Sequence, residues 1–166
     1  MPASLFYVLA PLVIVASLVM ITRRHPLPAA VSLVVAFIGL AGLYAMLSAP
    51  MLAVLQILVY AGAIMALTVF VIMLLNVRDE DLPAEPNMPF HIGLGLVAMV
   101  PVFVILFAAI RRLPTSGMGP EVPADFGGIG PVGKSLFMVY GFPFELISLL
   151  LTVAVVAVVV LAKRRL

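Results

Sequence analysis

Residues 25–77 read HPLPAAVSLVVAFIGLAGLYAMLSAPMLAVLQILVYAGAIMALTVFVIMLLNV, 53 positions without one formally charged side chain at pH 7. A helix takes about 20 residues to cross a hydrocarbon core roughly 30 Å thick. The stretch therefore holds two crossings joined by a short turn. Ser48-Ala49-Pro50 supplies that turn, because proline cannot continue a helix and disfavours helical backbone in the residue before it.

The same reading extends outward. Residues 1–22 are uncharged and end at Arg23-Arg24; residues 86–110 form another uncharged run; residues 135–162 form a last one in which Glu145 is the single charge. The chain is expected to be an all-α integral membrane protein, a single membrane domain with five transmembrane helices at about 3–22, 28–47, 51–77, 90–110 and 142–162. Loops 78–89 and 111–141 are the two segments longer than a tight turn. The first is acidic and Pro-rich, the second Gly- and Pro-rich, and neither can bury a core of its own. Pro11 and Pro101 fall well inside spans, where a packed bundle tolerates the kinks they impose. A β-barrel strand would alternate every second residue, and runs such as 153–161 do not.

Composition excludes most alternatives. Of 166 residues 65% are hydrophobic and 10% charged, with a mean hydropathy of +1.33, against roughly 25% charged residues in soluble domains. Nine Lys plus Arg against seven Asp plus Glu leave +2, with no basic patch suited to nucleic acid. There is no Cys to form a disulfide or ligate a cluster, and His25 and His91 have no metal-binding spacing. Dinucleotide, P-loop and nucleophile-elbow motifs are missing. The first apolar run lacks a basic leader and a small-residue cleavage site, so it is expected to stay in the mature protein. With five helices, six Lys and Arg gather on one side and three on the other, which predicts the N-terminus outside and the C-terminus in the cytoplasm.

Polar groups inside the spans are few. Glu145 is the only charged side chain within a span, and an intramembrane carboxylate is a candidate proton-path group because burial raises its pKa toward the exchanging range. Ser148 and Thr152 follow at i+3 and i+7 on the same face. The simpler reading makes Pro143-Phe144-Glu145 a helix start with an acid in the first turn. His25 and His91 read as headgroup-facing residues at span ends, and Tyr7, Tyr44 and Tyr140 as interfacial rings.

The third span is the least ordinary. Ala61, Gly62, Ala63 and Ala66 would let another backbone approach closely. At 100° per residue, Gln56, Tyr60 and Ala63 fall at about 0°, 40° and 340°, but Thr68 at about 120°, off their stripe. One extra residue in a π-type turn between Tyr60 and Thr68 would return it to about 20°, so a π-bulge is expected here.

The stretch QILVYAGAIM (56–65), continuing to VFVIMLLN (69–76), closely resembles the third helix of subunit J of proton-translocating NADH:quinone oxidoreductase, the NuoJ family of respiratory complex I. His25-Pro26 with Ala30, Gly39-Leu40-Ala41-Gly42-Leu43-Tyr44, Leu136-Phe137, Tyr140 and Phe144-Glu145-Leu146 also match, and the likeness covers about residues 1–165. The resemblance implies a non-redox subunit of the bacterial inner (plasma) membrane, with a third-helix π-bulge that converts to regular helix and gates a hydrated proton path. Tyr60, Gly62, Ala63, Met65, Thr68 and Phe70 would line the gate, Glu145 would be a proton-path carboxylate, and Gly39, Gly42 and Ala66 would serve helix packing. NADH, FMN, iron–sulfur clusters and quinone are then expected on partner subunits. No cofactor or metal is expected on this chain. Expected partners are the antiporter-like pump subunits, small subunit K, the quinone-junction subunits A and H, and membrane lipids. Two departures stand out. Thr68 replaces the family's usual Phe, so that a hydroxyl stands where a ring would exclude water, and Pro50 replaces an acidic residue found in many members.

Two other functions fit the same residues. An equivalent small subunit of a related cation/proton antiporter or membrane-bound hydrogenase would look similar, and a purely structural membrane scaffold would share the lack of ionisable groups in the first four spans. Partner identity separates the first from complex I, and Gly62→Val separates the scaffold from the gate.

Overall fold

The computed structural model describes residues 3–75, 88–112, 123 and 125–163. Everything regular in it is helical: α1 (Ala3–Thr22), α2 (Pro26–Met46), α3 (Pro50–Leu75), α4 (Met88–Arg112), α5 (Ile129–Met138) and α6 (Gly141–Lys163). Helix satisfies each backbone polar group within its own segment, as a bilayer requires. Four of these, α1, α2, α3 and α6, are long and apolar enough to cross a membrane.

The helix starts lie where proline dictates. Pro26 and Pro50 begin α2 and α3, preceded by His25 (φ −76°, ψ 127°) and Ala49 (φ −118°, ψ 61°), both outside the helical region. The second span thus begins two residues earlier than the expected 28–47, and Pro50 belongs to α3 and not to the turn. Asn76 and the end of the expected span 51–77 lie outside the described residues, as do 78–87 of the first loop. α4 extends the expected 90–110 by a turn's fraction at each end, with Arg111 and Arg112 in its last turn and the Arg111 guanidinium 4.6 Å from the Phe107 ring centre.

The loop 111–141 needs correction. It carries α5, a ten-residue helix. Gly and Pro density suggested an open loop, but Ile129, Val132 and Leu136 recur at helical spacing, and Gly128 gives the extended entry (φ −72°, ψ 166°). α6 then starts at Gly141, not at 142, and the Val139 and Tyr140 amides both donate to the Ser135 carbonyl between the two helices.

α2 is the hub, packing against α1 and along α3. The buried residues are Ala16, Ala30, Ala36, Gly39, Ala41, Ala53, Gln56 and Met65, mostly small, so backbones approach closely instead of interdigitating large side chains. Large apolar side chains cover the outside, and no residue of α6 is buried by the chain itself. Apolar surface on that scale is covered by lipid or by other subunits.

Helical hydroxyls bond back to their own helix: Ser17 to Val13 O, Ser32 to Ala29 O, Thr68 to Ile64 O and Thr152 to Ser148 O, at 2.7–2.9 Å. Each is thereby satisfied without a partner from outside the helix.

Candidate functional site

α3 is not one uniform helix. Pro50–Leu55 is α-helical, Gln56–Ile64 is π-helical over nine residues, and Met65–Leu75 is α-helical again. The Gln56 amide still donates to Leu52 and Ala53, four and three residues back. At the other end the Met65 amide is shared between the Gly62 and Tyr60 carbonyls, so the pattern five residues back ends there. Most π segments are single-turn bulges. The expected turn lay between Tyr60 and Thr68; the observed segment is longer and lies further toward the N-terminus.

The π geometry decides which side chains face α2. In a regular α-helix, nine steps from Gln56 to Met65 would put them about 180° apart. Both are nonetheless buried, at 6% and 4% exposure, on a helix whose neighbour is α2. A π turn rotates less per residue, and the accumulated lag brings Met65 onto the face of Gln56. Thr68, expected to be carried onto that stripe, is instead exposed, its hydroxyl donating to Ile64 O at 2.8 Å, and Ala63 is exposed as well.

Tyr60 is half exposed, and its ring meets Phe37 of α2 edge-on, with centroids 5.7 Å apart and planes at 64°. Among the described residues no other helix comes within 4 Å of a Cβ placed on Gly62. A Cβ there would meet only the Ile57 carbonyl oxygen, five residues back in its own helix, at 3.1 Å. Ala66 and Phe70 point away from the chain's own bundle. Gly39 and Gly42 lie where α2 meets α1: Cβ atoms would come within 2.7 Å of Val13 Cγ2 and 2.8 Å of Leu9 Cδ1.

Glu145 is the fifth residue of α6, so no acid stands in that helix's first turn, which corrects the reading of Glu145 as a helix-start residue. It is exposed beside Phe142, Leu146, Ser148 and Leu149. Ser148 donates to the Glu145 backbone carbonyl at 2.7 Å, so the hydroxyls of this face are engaged with the backbone. The described structure does not bring Glu145 together with the π segment. His25 is partly buried, and its Nδ1 has no hydrogen-bond partner among the described residues, unlike a solvated side chain. The His91 side chain lies outside the described residues.

Two features escaped the sequence reading. Phe37 sits among Ala, Val, Leu and Ile with nothing to mark it, although its α2 position faces the third helix. Gly127 was one glycine among several, but the Gly127-Gly128 pair before an apolar helical pattern was a usable signal.

Comparison with known proteins identifies the family. Residues 16–161 match the family model of NADH-ubiquinone/plastoquinone oxidoreductase chain 6. The chain is 35% identical over 128 residues to NAD(P)H-quinone oxidoreductase subunit 6 of the Paulinella chromatophora organellar chromatophore, covering 77% of this chain and 62% of that protein's length. It is 30% identical over 161 residues to F(420)H(2) dehydrogenase subunit J of Methanosarcina mazei (96% and 90% covered). It is 31% identical over 154 residues to NADH-quinone oxidoreductase subunit J of Escherichia coli K12 (91% and 81%). The chain belongs to the NADH-ubiquinone/plastoquinone oxidoreductase chain 6 family, the subunit J family of complex I.

Proposed function

We propose that this chain is a non-redox membrane subunit of a proton-pumping quinone oxidoreductase, and that its π segment gates a hydrated proton path. The observation that carries the reading is the nine-residue π segment set between two α-helical stretches of one span. Removing one residue's worth of π winding turns the far half of the helix by about 100° relative to the near half. Met65 would leave the α2 face and another set of side chains would replace it. A rotation of that size opens or closes a file of water without any acid on the helix. Interconversion of two windings is a bistable element of the sort that coupling requires.

The chain carries no cluster, flavin or quinone site of its own in this reading, and reduction elsewhere in the complex drives the change. NADH, FMN, iron–sulfur clusters and quinone belong to partner subunits. The neighbours are the antiporter-like pump subunits, small subunit K and the quinone-junction subunits A and H. Relatives named for NADH, NAD(P)H and F(420)H(2) share this subunit, which fits a role independent of the electron donor.

In this reading α4 makes a fifth crossing beside the four long apolar helices. The turn before α3 and the segment before α5 touch through Met51 and Gly127, so they share one end of the bundle. α3 leaves that end, and the chain must return to it before Gly127. α4, with 25 residues and a length of about 37 Å, is long enough to do so. The N-terminus then lies outside and the C-terminus in the cytoplasm of a bacterial inner membrane, as the Lys and Arg distribution indicates.

The test is Gly62→Val in the complete complex, reconstituted in proteoliposomes. Valine puts a stiff β-branched side chain against the preceding turn of the π segment, its Cβ 3.1 Å from Ile57 O. The expected result is an assembled complex that reduces quinone but translocates fewer protons per quinone. Wild-type stoichiometry in an assembled Gly62→Val complex would overturn the gate.

A further inference from the structure

We infer that Gly127 is a positioning residue for the π segment: it anchors the N-terminal end of α3 so that a change in winding turns the far end. The inference rests on the gating reading above and assigns a role to a segment that the reading leaves out.

The start of α3 is poorly provided for by its own sequence. Ala49 offers no side-chain cap, and Pro50 has no N–H. The first amide that needs a partner is that of Met51, and it donates to the Gly127 carbonyl at 3.1 Å, across 76 positions of sequence. Only a glycine fits there. Gly127 has φ +71°, in the left-handed region, and a Cβ on it would collide with the Ser48 carbonyl oxygen and lie 2.8 Å from Ala49 Cα. The opposing Ser48 is itself left-handed, at φ +56°. Two turns in uncommon conformations are therefore held against each other, backbone to backbone.

Both sides of this contact continue into rigid structure. Behind Gly127, the Phe126 amide donates to Pro123 O at 2.9 Å and the Gly128 amide to Asp125 O at 3.0 Å, which brace the turn. α5 follows directly, and Phe137 packs edge-on against Phe144 of α6 with centroids 4.9 Å apart. Ahead of Met51, one short α-helical stretch leads to Gln56, the first π residue. A twist in the π segment can be taken up by either flank. Tying Met51 to the α5–α6 unit holds the near flank, so the rotation is delivered to Met65–Leu75. Beside the contact lies a cavity of about 470 Å³ lined by Leu52, Phe126, Val132, Leu136 and Tyr140 among others, which leaves room for α5 to be loosened without a clash.

The experiment is hydrogen–deuterium exchange on the assembled complex, with proton-to-quinone stoichiometry measured on the same preparations. Gly127→Ala is expected to raise exchange of the 51–64 amides about fivefold, the scale of one lost backbone hydrogen bond, leave α1 unchanged, and lower protons per quinone while quinone reduction continues. Leu136→Ala enlarges the cavity and introduces no clash, so it decides the matter if Gly127→Ala fails to assemble; it is expected to raise the same amides by a smaller factor. Wild-type exchange over 51–64, with any change confined to 125–140, would overturn the positioning role. Raised exchange over 51–64 with wild-type stoichiometry would uphold the positioning role and remove the gating reading instead.

Discussion

Phe37 and Tyr60 hold α2 and the π segment together edge to face, 5.7 Å between ring centres. The aromatic of the unusual winding is thereby braced by a regular helix. An edge-on pair of this sort contributes about 0.5–1.5 kcal/mol beyond the area it buries. Phe37→Ala removes the brace without touching the π segment's own residues. The complex is expected to assemble and reduce quinone, with protons per quinone lowered; Phe37→Leu, which keeps bulk but not ring geometry, falls between. Stoichiometry in proteoliposomes checks this. A wild-type value for Phe37→Ala would show that Tyr60 needs no brace.

The α1–α2 contact makes a sharper stability prediction. Gly39 and Gly42 face Val13 and Leu9 at distances that leave no room for a methyl group unless those side chains shift. Their reachable ends are flexible, so Gly39→Ala should cost about 1–3 kcal/mol, the range for overpacking, and Gly39→Leu should separate the helices. At Gly93 and Gly95 of α4 an added Cβ would meet nothing within 4 Å, and alanine there should leave this chain's stability unchanged to within about 0.5 kcal/mol. Thermal denaturation of the solubilised complex, followed by loss of this subunit, compares the four variants.

The membrane fold was legible because charge is so costly in a bilayer that its positions alone mark the crossings. Pro50 marked the turn before the third span for an equally local reason, one residue from the observed start, whereas the expected start at 28 passed over Pro26, where the second span begins. α5 was hidden because its Gly and Pro content resembles a loop, while the apolar spacing of Ile129, Val132 and Leu136 is only visible once a helix is assumed. A π winding around Tyr60 was expected from the angular positions of Gln56 and Thr68, yet Thr68 is exposed and Met65 takes the buried place beside Gln56, because which residue returns to that face depends on the length of the segment and on packing against α2. The Gly127-Gly128 pair marked a turn before an apolar helical pattern, but the requirement for glycine at Gly127 comes from Ser48, a distant residue, and was not readable locally.

Thr68 offers a test of what the exposed face of α3 does. Its hydroxyl is satisfied by Ile64 O, and its side chain is exposed on the outside of this chain. Thr68→Val removes the hydroxyl at nearly constant volume and should change the subunit's stability by no more than about 0.5 kcal/mol. Thr68→Phe puts a water-excluding ring in place of the hydroxyl. If water runs along this face, the ring should slow passive proton leak through the idle complex, while Thr68→Val should do so less. Leak is read as decay of an imposed pH gradient in proteoliposomes. Equal leak in wild type and Thr68→Phe would place the water file elsewhere.

Gln56 stands at the first π residue and is the only polar side chain buried among the described residues. A carboxamide in that position costs free energy that a leucine of similar size would not. Gln56→Leu should therefore leave the complex as stable as wild type or raise it by about 1 kcal/mol. In the proposed gate the amide has a use that stability does not explain: it can hold a water at the near end of the file when the winding changes. Gln56→Leu is accordingly expected to assemble normally, to reduce quinone, and to pump fewer protons per quinone. Gln56→Glu, which keeps a polar group of the same shape, should restore part of the loss. A destabilised Gln56→Leu complex would mean that the amide serves folding, and a stable one with full pumping would mean that it serves neither.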